Sequence, residues 1–152
     1  MQKLIATVLV LGLTGSALAQ NRLSAREFSI NGYRNPSVGV EFRLRHVSVH
    51  AGYYPTNFKG GETTDFFKAG FTAWFLPMGK KENPSSFYAG VNYLSGHNND
   101  YEGKNAVGME AGFRWMVWKG LNIRLGAIAV AGGGESLKLN PASGISYSFF
   151  FN

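Results

Sequence analysis

The chain has 152 residues, room for one domain, and contains no cysteine. Disulfide staples, thiolate nucleophiles and cysteine-ligated zinc are therefore excluded. Its formal charge of +6 would suit nucleic acid in a cytosolic protein, but the first residues predict export, which argues against that partner.

The chain opens "MQKLIATVLVLGLTGSALAQ". Lys3 precedes an apolar run from Leu4 to Leu13, and small residues follow up to Ala17-Leu18-Ala19. This predicts a cleavable signal peptide over 1–19 and a mature domain over 20–152. The run is shorter than the roughly 20 residues that span a bilayer as a helix. No later segment is apolar for long enough to do so.

Beyond it the dominant period is two, the signature of half-buried strands. A first strand, near Glu27 to Tyr33, sets Phe28 and Ile30 opposite Ser29 and Asn31. Val38, Val40, Phe42 and Leu44 then alternate with Gly39, Glu41, Arg43 and Arg45. Val47, Val49, Ala51 and Tyr53 alternate with Ser48, His50, Gly52 and Tyr54. Phe67 to Phe75 alternate with Lys68, Gly70, Thr72 and Trp74. Phe87 to Tyr93 alternate with Tyr88, Gly90, Asn92 and Leu94. Val107 to Val117 face away from Gly108, Glu110, Gly112 and Arg114. Leu121 to Ala129 face away from Asn122, Arg124 and Gly126, and Ile145 to Phe151 from Gly144, Ser146 and Ser148. That makes eight strands.

The connections alternate in length. Arg45-His46 is a tight turn that pairs Leu44 with Val47 and sets Glu41 opposite His50. Trp118-Lys119-Gly120 reads as a three-residue hairpin with Gly supplying a left-handed conformation, and "MGKKENP" carries turn residues. At the other end "PTNFKGGET", "SGHNNDYEGKN" and "GGGESLKLNPAS" read as long polar loops, with "RNPS" the short exception. This is an up-and-down meander.

The apolar phase holds too many aromatics to fit inside an eight-stranded barrel, whose bore admits only modest side chains. The other phase is rich in glycine, which weakens exposed strands but makes room in a narrow interior. The polar phase therefore points in and the apolar phase out, towards lipid. A closed barrel also satisfies every backbone group, as lipid demands. The fold class expected is all-β: an eight-stranded antiparallel up-and-down transmembrane β-barrel after a signal peptide. Phe66-Phe67 and Trp74-Phe75 lie eight residues apart. At about 3.3 Å per residue and a tilt of about 40° they span roughly 20 Å, near the apolar band of about 25 Å. Tyr53, Phe67, Trp74, Phe75, Phe87, Tyr93, Trp115, Phe149 and Phe151 are the expected interfacial girdles.

The signal ending "SALAQ", the alternating strands and the aromatic finish "ISYSFFFN" resemble the small eight-stranded outer-membrane barrels of the OmpA/OmpX-like kind. The resemblance covers nearly the whole mature chain and is architectural, without a diagnostic motif. It implies residence in a bacterial outer membrane, contact with its lipid and lipopolysaccharide, and assembly from the periplasm by the barrel-assembly machinery, signalled by a C-terminal aromatic. Phe151 is penultimate here and Asn152 last, a departure from that signal.

Inward charges at Glu41, Arg43, Lys68, Glu110, Arg114 and Arg124, with His50 beside Glu41, read as an ion-pair network filling the lumen. The alternative is a gate or narrow path for ions or small solutes. Arg114 and Arg124 fall nearly opposite each other, which is unfavourable unless Glu110 or Glu41 lies between. His46 and Ser48, two apart in "HVSVH", resemble the His-x-Ser pair of outer-membrane lipid A deacylases. The rest of that family's motif is missing, and a nucleophilic serine also needs an oriented histidine. His97, Asp100 and Glu102 share a loop without fixed metal geometry, and "AGGGES" lacks the ending of a phosphate-binding loop. Lys59, Lys104 and Lys138 are placed to meet lipopolysaccharide phosphates or simply water. The expected function is a non-catalytic outer-membrane barrel with a structural or loop-mediated role. A narrow channel ranks second and a lipid A-modifying enzyme third, and no cofactor or metal is expected.

Overall fold

A computed structural model of the chain describes residues 23, 26–33, 37–59, 62–97, 103–132 and 135–151. The predicted signal peptide, Asp100, Glu102 and Asn152 lie outside the described residues. The strands, in order, are β1 (Arg26–Tyr33), β2 (Ser37–Leu44), β3 (Val47–Lys59), β4 (Glu62–Met78), β5 (Ser85–Gly96), β6 (Asn105–Trp118), β7 (Leu121–Gly132), β8 (Glu135–Pro141) and β9 (Gly144–Phe151). Each strand from β1 to β7 pairs antiparallel with the next. β9 pairs with both β1 and β7 and closes a ring of eight.

β8 is the element missed by the sequence reading, which left its residues in a loop. Leu137 and Leu139 alternate with Lys138 and Asn140, and the ladder offered by Ile128 to Val130 on β7 accepts them. The two strands after the β7 hairpin share one alignment against β7: Ala127 pairs with Pro141 on one side of the break and Arg124 with Gly144 on the other. The Ala142 amide donates to the Gly126 carbonyl (2.9 Å) across the interruption. β8 and β9 are thus two segments of one line, broken at Ala142-Ser143. "PTNFKGGET" also differs from expectation, since β3 runs to Lys59 and β4 starts at Glu62.

Other registers match the reading. Leu44 pairs with Val47, Glu41 with His50 and Arg114 with Arg124. At the Arg45-His46 turn it is Arg45 that takes positive φ, at 55°. The β6–β7 turn is a correction. Trp118 pairs with Leu121, leaving a two-residue turn whose left-handed residue is Lys119, at φ 45°. Gly120 is needed for space instead, because a Cβ there would press into the Ser148 carbonyl.

Charges go in and oils go out. Arg43, Arg114, Arg124 and Glu41 are buried in the lumen, while Phe71, Met109 and Leu125 are 60%, 66% and 54% exposed on the outer wall. Most predicted girdle members (Tyr53, Phe67, Phe87, Tyr93, Trp115, Phe149 and Phe151) are outward and exposed, and Phe75 is half-exposed. Phe87 links Phe75 and Phe113 in an outer aromatic row, with centroids 6.3 and 5.0 Å apart. Trp74 is a correction: it is 2% exposed. It shares the phase of Lys68 and Thr72, so the strand pleat turns it inward, where its indole finds a hydrogen-bond acceptor.

Glycine makes the bore wide enough for these residues. Gly112 on β6 faces Gly126 on β7, and the Tyr88 hydroxyl lies against both. A Cβ at Gly112 would stand 2.6 Å from Tyr88 Oη and 2.8 Å from Gly126 Cα. Gly112→Val is therefore expected to cost about 1–3 kcal/mol by overpacking. Ala111→Val, one residue away on the outer face, should be nearly neutral. Urea unfolding of the refolded barrels checks the difference.

Candidate functional site

The lumen is built from inward positions of all the ring strands. Glu27 on β1 is its most connected carboxylate. Arg43 on the paired strand β2 donates Nε (2.7 Å) to Glu27 Oε2 and adds Nη2 at 2.5 Å. Arg114, from β6 across the ring, donates Nη1 to both carboxylate oxygens at 2.8 and 2.9 Å. Ser29 and Ser148 donate to Oε1 at 2.9 and 2.5 Å. Every lone-pair direction of this carboxylate is in use, as the burial of an ion requires.

Glu41 on β2 forms the second node. Arg124 Nη2 donates to Oε2 at 2.5 Å, Asn31 Nδ2 to the same oxygen at 3.3 Å, and Ser48 Oγ to Oε1. Higher up, Lys68 Nζ pairs with Glu110 Oε2 at 3.2 Å. His50 meets Asn92 Oδ1 through Nε2 (2.5 Å) and Thr72 Oγ1 through Nδ1 (3.3 Å). Of the seven residues expected in the lumen, Glu41, Arg43, Lys68, Glu110, Arg114 and Arg124 are buried there and His50 is half-buried, and their contacts fall into four groups.

The facing arginines are kept apart by separate partners. Glu27 takes Arg114 and Glu41 takes Arg124, while Glu110 serves Lys68 instead. Trp74 lies among the cations: the Cζ atoms of Arg114, Arg124 and Arg43 are 4.4, 5.1 and 6.0 Å from its ring centroid. Its negative ring face offsets their mutual repulsion, and its Nε1 donates to Ser48 Oγ at 2.8 Å. Glu27 and Trp74 are the members that sequence reasoning missed as lumen residues. Glu27 shares the phase of Ser29 and Asn31, so the signal was present in the alternation.

Both ends of this polar centre are stoppered by apolar side chains. On the loop side Tyr54, Phe66, Leu94, Ala106, Ile128, Val130 and Ala142 form one buried cluster. On the turn side Leu23 packs with Trp74 and Tyr88, and Met116 is buried. A void lined by Asn31, Gly39, His50, Gly52 and Lys68 has a volume of about 10 Å³, at the lower limit for one water.

The remaining candidates do not converge. His46 Nδ1 lies 3.2 Å from the Trp74 carbonyl, whereas Ser48 Oγ is engaged by Glu41 and Trp74, so histidine and serine do not meet. The His97 amide donates to the Asp65 carbonyl at 2.9 Å. Lys59 ends β3, Lys104 is exposed and Lys138 is half-exposed on β8. In comparisons with known proteins, no protein-family model, curated protein or solved structure matches the chain.

Removing one carboxylate charge separates the nodes. Glu27→Gln strands two buried guanidiniums and is expected to cost about 3–5 kcal/mol. Glu110→Gln removes a carboxylate paired with one ammonium through a longer contact and should cost less. Urea midpoints at a constant m-value report both.

Proposed function

We propose that this protein is an integral outer-membrane β-barrel of a bacterial envelope, with a structural or loop-mediated contact role and a lumen filled by its own side chains. One observation carries the reading: the barrel is inverted, with its charges buried and its large apolar side chains exposed. Such a surface has no favourable solvent except hydrocarbon, and contiguous apolar exposure on this scale marks a membrane or partner. The outward aromatics near the strand ends support it, because such rings settle at the boundary between acyl chains and headgroups.

The stoppered lumen favours a filled barrel over a conducting one. An ion on the axis would have to displace Phe66, Leu94 and Ile128 on one side and Leu23 and Met116 on the other, and break charge pairs between them. The loop end offers the contact surface. β8 pairs among the described residues with β7 alone, and stands past the end of β1 at Tyr33. Leu137 and Leu139 on it are 70% and 72% exposed. In this reading the partners are membrane lipid, lipopolysaccharide phosphates meeting Lys104 and Lys138, and the barrel-assembly machinery during insertion.

The protein is expected in the outer-membrane fraction, released only by detergent, with a gel band that shifts on heating. Recovery in the soluble fraction without detergent overturns the reading. Leu125→Arg, on the outer face of β7, should cost about 2–4 kcal/mol in lipid vesicles, with a smaller loss in detergent. Planar bilayers holding the purified protein should stay silent, and steady unitary currents would favour the channel.

A further inference from the structure

We propose that the lumen holds a binding site for a small monovalent anion of the size of chloride, formed by Arg114 on β6 and Ser86 on β5. The buried charged side chains among the described residues are Arg43, Lys68, Arg114 and Arg124 against Glu27, Glu41 and Glu110, four cations to three carboxylates. The carboxylates are already committed. Glu27 is shared by two arginines, Glu41 is held by Arg124, Asn31 and Ser48, and Glu110 is taken by Lys68. Among the described residues the buried cations thus outnumber the buried carboxylates by one, a costly arrangement unless a further anion is present.

The shortfall is localised at Arg114. This residue is 0% exposed. Its Nη1 is spent on Glu27, while Nε and Nη2 have no acceptor. Those two N–H groups form one side of the guanidinium fork, the geometry that grips a single acceptor from two donors. Trp74 covers the guanidinium, with its ring centroid 4.4 Å from Cζ, so a ligand approaches in the plane of the fork. Ser86 is the register partner of Arg114 on β5. It is also 0% exposed, and its Oγ has no partner. Directly paired side chains on one sheet face stand about 5 Å apart at Cβ, so the unpartnered Ser86 hydroxyl shares the stretch of lumen wall from which Arg114 extends. Two unpartnered guanidinium N–H groups, a neighbouring unpartnered hydroxyl, a net positive charge and an aromatic wall select a small anion over a cation. The apolar stoppers at both ends admit only a compact one.

The test is refolding from urea into detergent in chloride, bromide or gluconate at equal ionic strength, followed by thermal unfolding. The heat-shifted gel band certifies the folded barrel, and a detergent readout separates this proposal from the question of cellular location. The melting midpoint is expected to rise saturably with chloride and bromide but not with gluconate, which is too large to enter. Ser86→Ala, which leaves every charge in place, should weaken the apparent halide affinity about tenfold through the loss of one charge-assisted hydrogen bond. Arg114→Gln should abolish the halide dependence. If that variant does not fold, Ser86→Ala still decides. Coincident curves in chloride and gluconate overturn the site, as does a Ser86→Ala response equal to that of the parent chain.

Discussion

Closing a sheet of only eight strands creates a bore that side chains alone must fill, and most of this molecule follows from that limit. Glycines appear inside wherever a long inward neighbour needs the width, as Gly112 and Gly126 do beneath Tyr88. Bulky aromatics such as Phe71, Phe113 and Trp115 cannot share the bore and are turned outward. The same pleat then delivers every second residue of each strand to one narrow column. Charges thrown together there must be paired across the ring or leave the fold unstable.

Three carboxylates settle that column. Glu27 ties β1 to β2 and to β6 on the far wall, and Glu41 ties β2 to β7. The links from Glu27 to β6 and from Glu41 to β7 cross the lumen, so they couple strands that no backbone ladder joins. Their strength is conditional, because a buried pair stabilises only while all its lone pairs and protons are met. Trp74 belongs to this arrangement as much as the acids do. Its ring softens the repulsion among three guanidiniums, and its indole nitrogen holds Ser48 against Glu41.

Above and below the charges, the filling changes character. Ile128, Val130, Leu94 and Phe66 pack as an ordinary apolar core, and Leu23 closes the turn side with Trp74 and Tyr88. In the proposed outer-membrane setting this layering explains how a highly charged centre coexists with a tight seal. It also frees the outer wall and the loop-side extensions of β3, β4 and β8 to make whatever contacts the protein has with its surroundings.

Alternation of residue type was enough to place the strands, the tight Arg45-His46 turn, the opposition of Arg114 and Arg124, and all seven expected lumen charges, because strand period and pleat are local properties. It also carried Glu27 and Trp74 on the inner phase, although their roles depend on which distant strands the ring brings opposite them. Trp74 reads equally well as an interfacial aromatic until its neighbours across the bore are known. β8 escaped notice because its glycine-rich approach and its Lys, Asn and Pro resemble a loop, and only the waiting edge of β7 makes it a strand. Which acid meets which base, where the eighth stave breaks, and why the lumen is sealed at both ends were settled by ring closure, since those pairings join residues far apart in the chain through the stagger of a closed sheet.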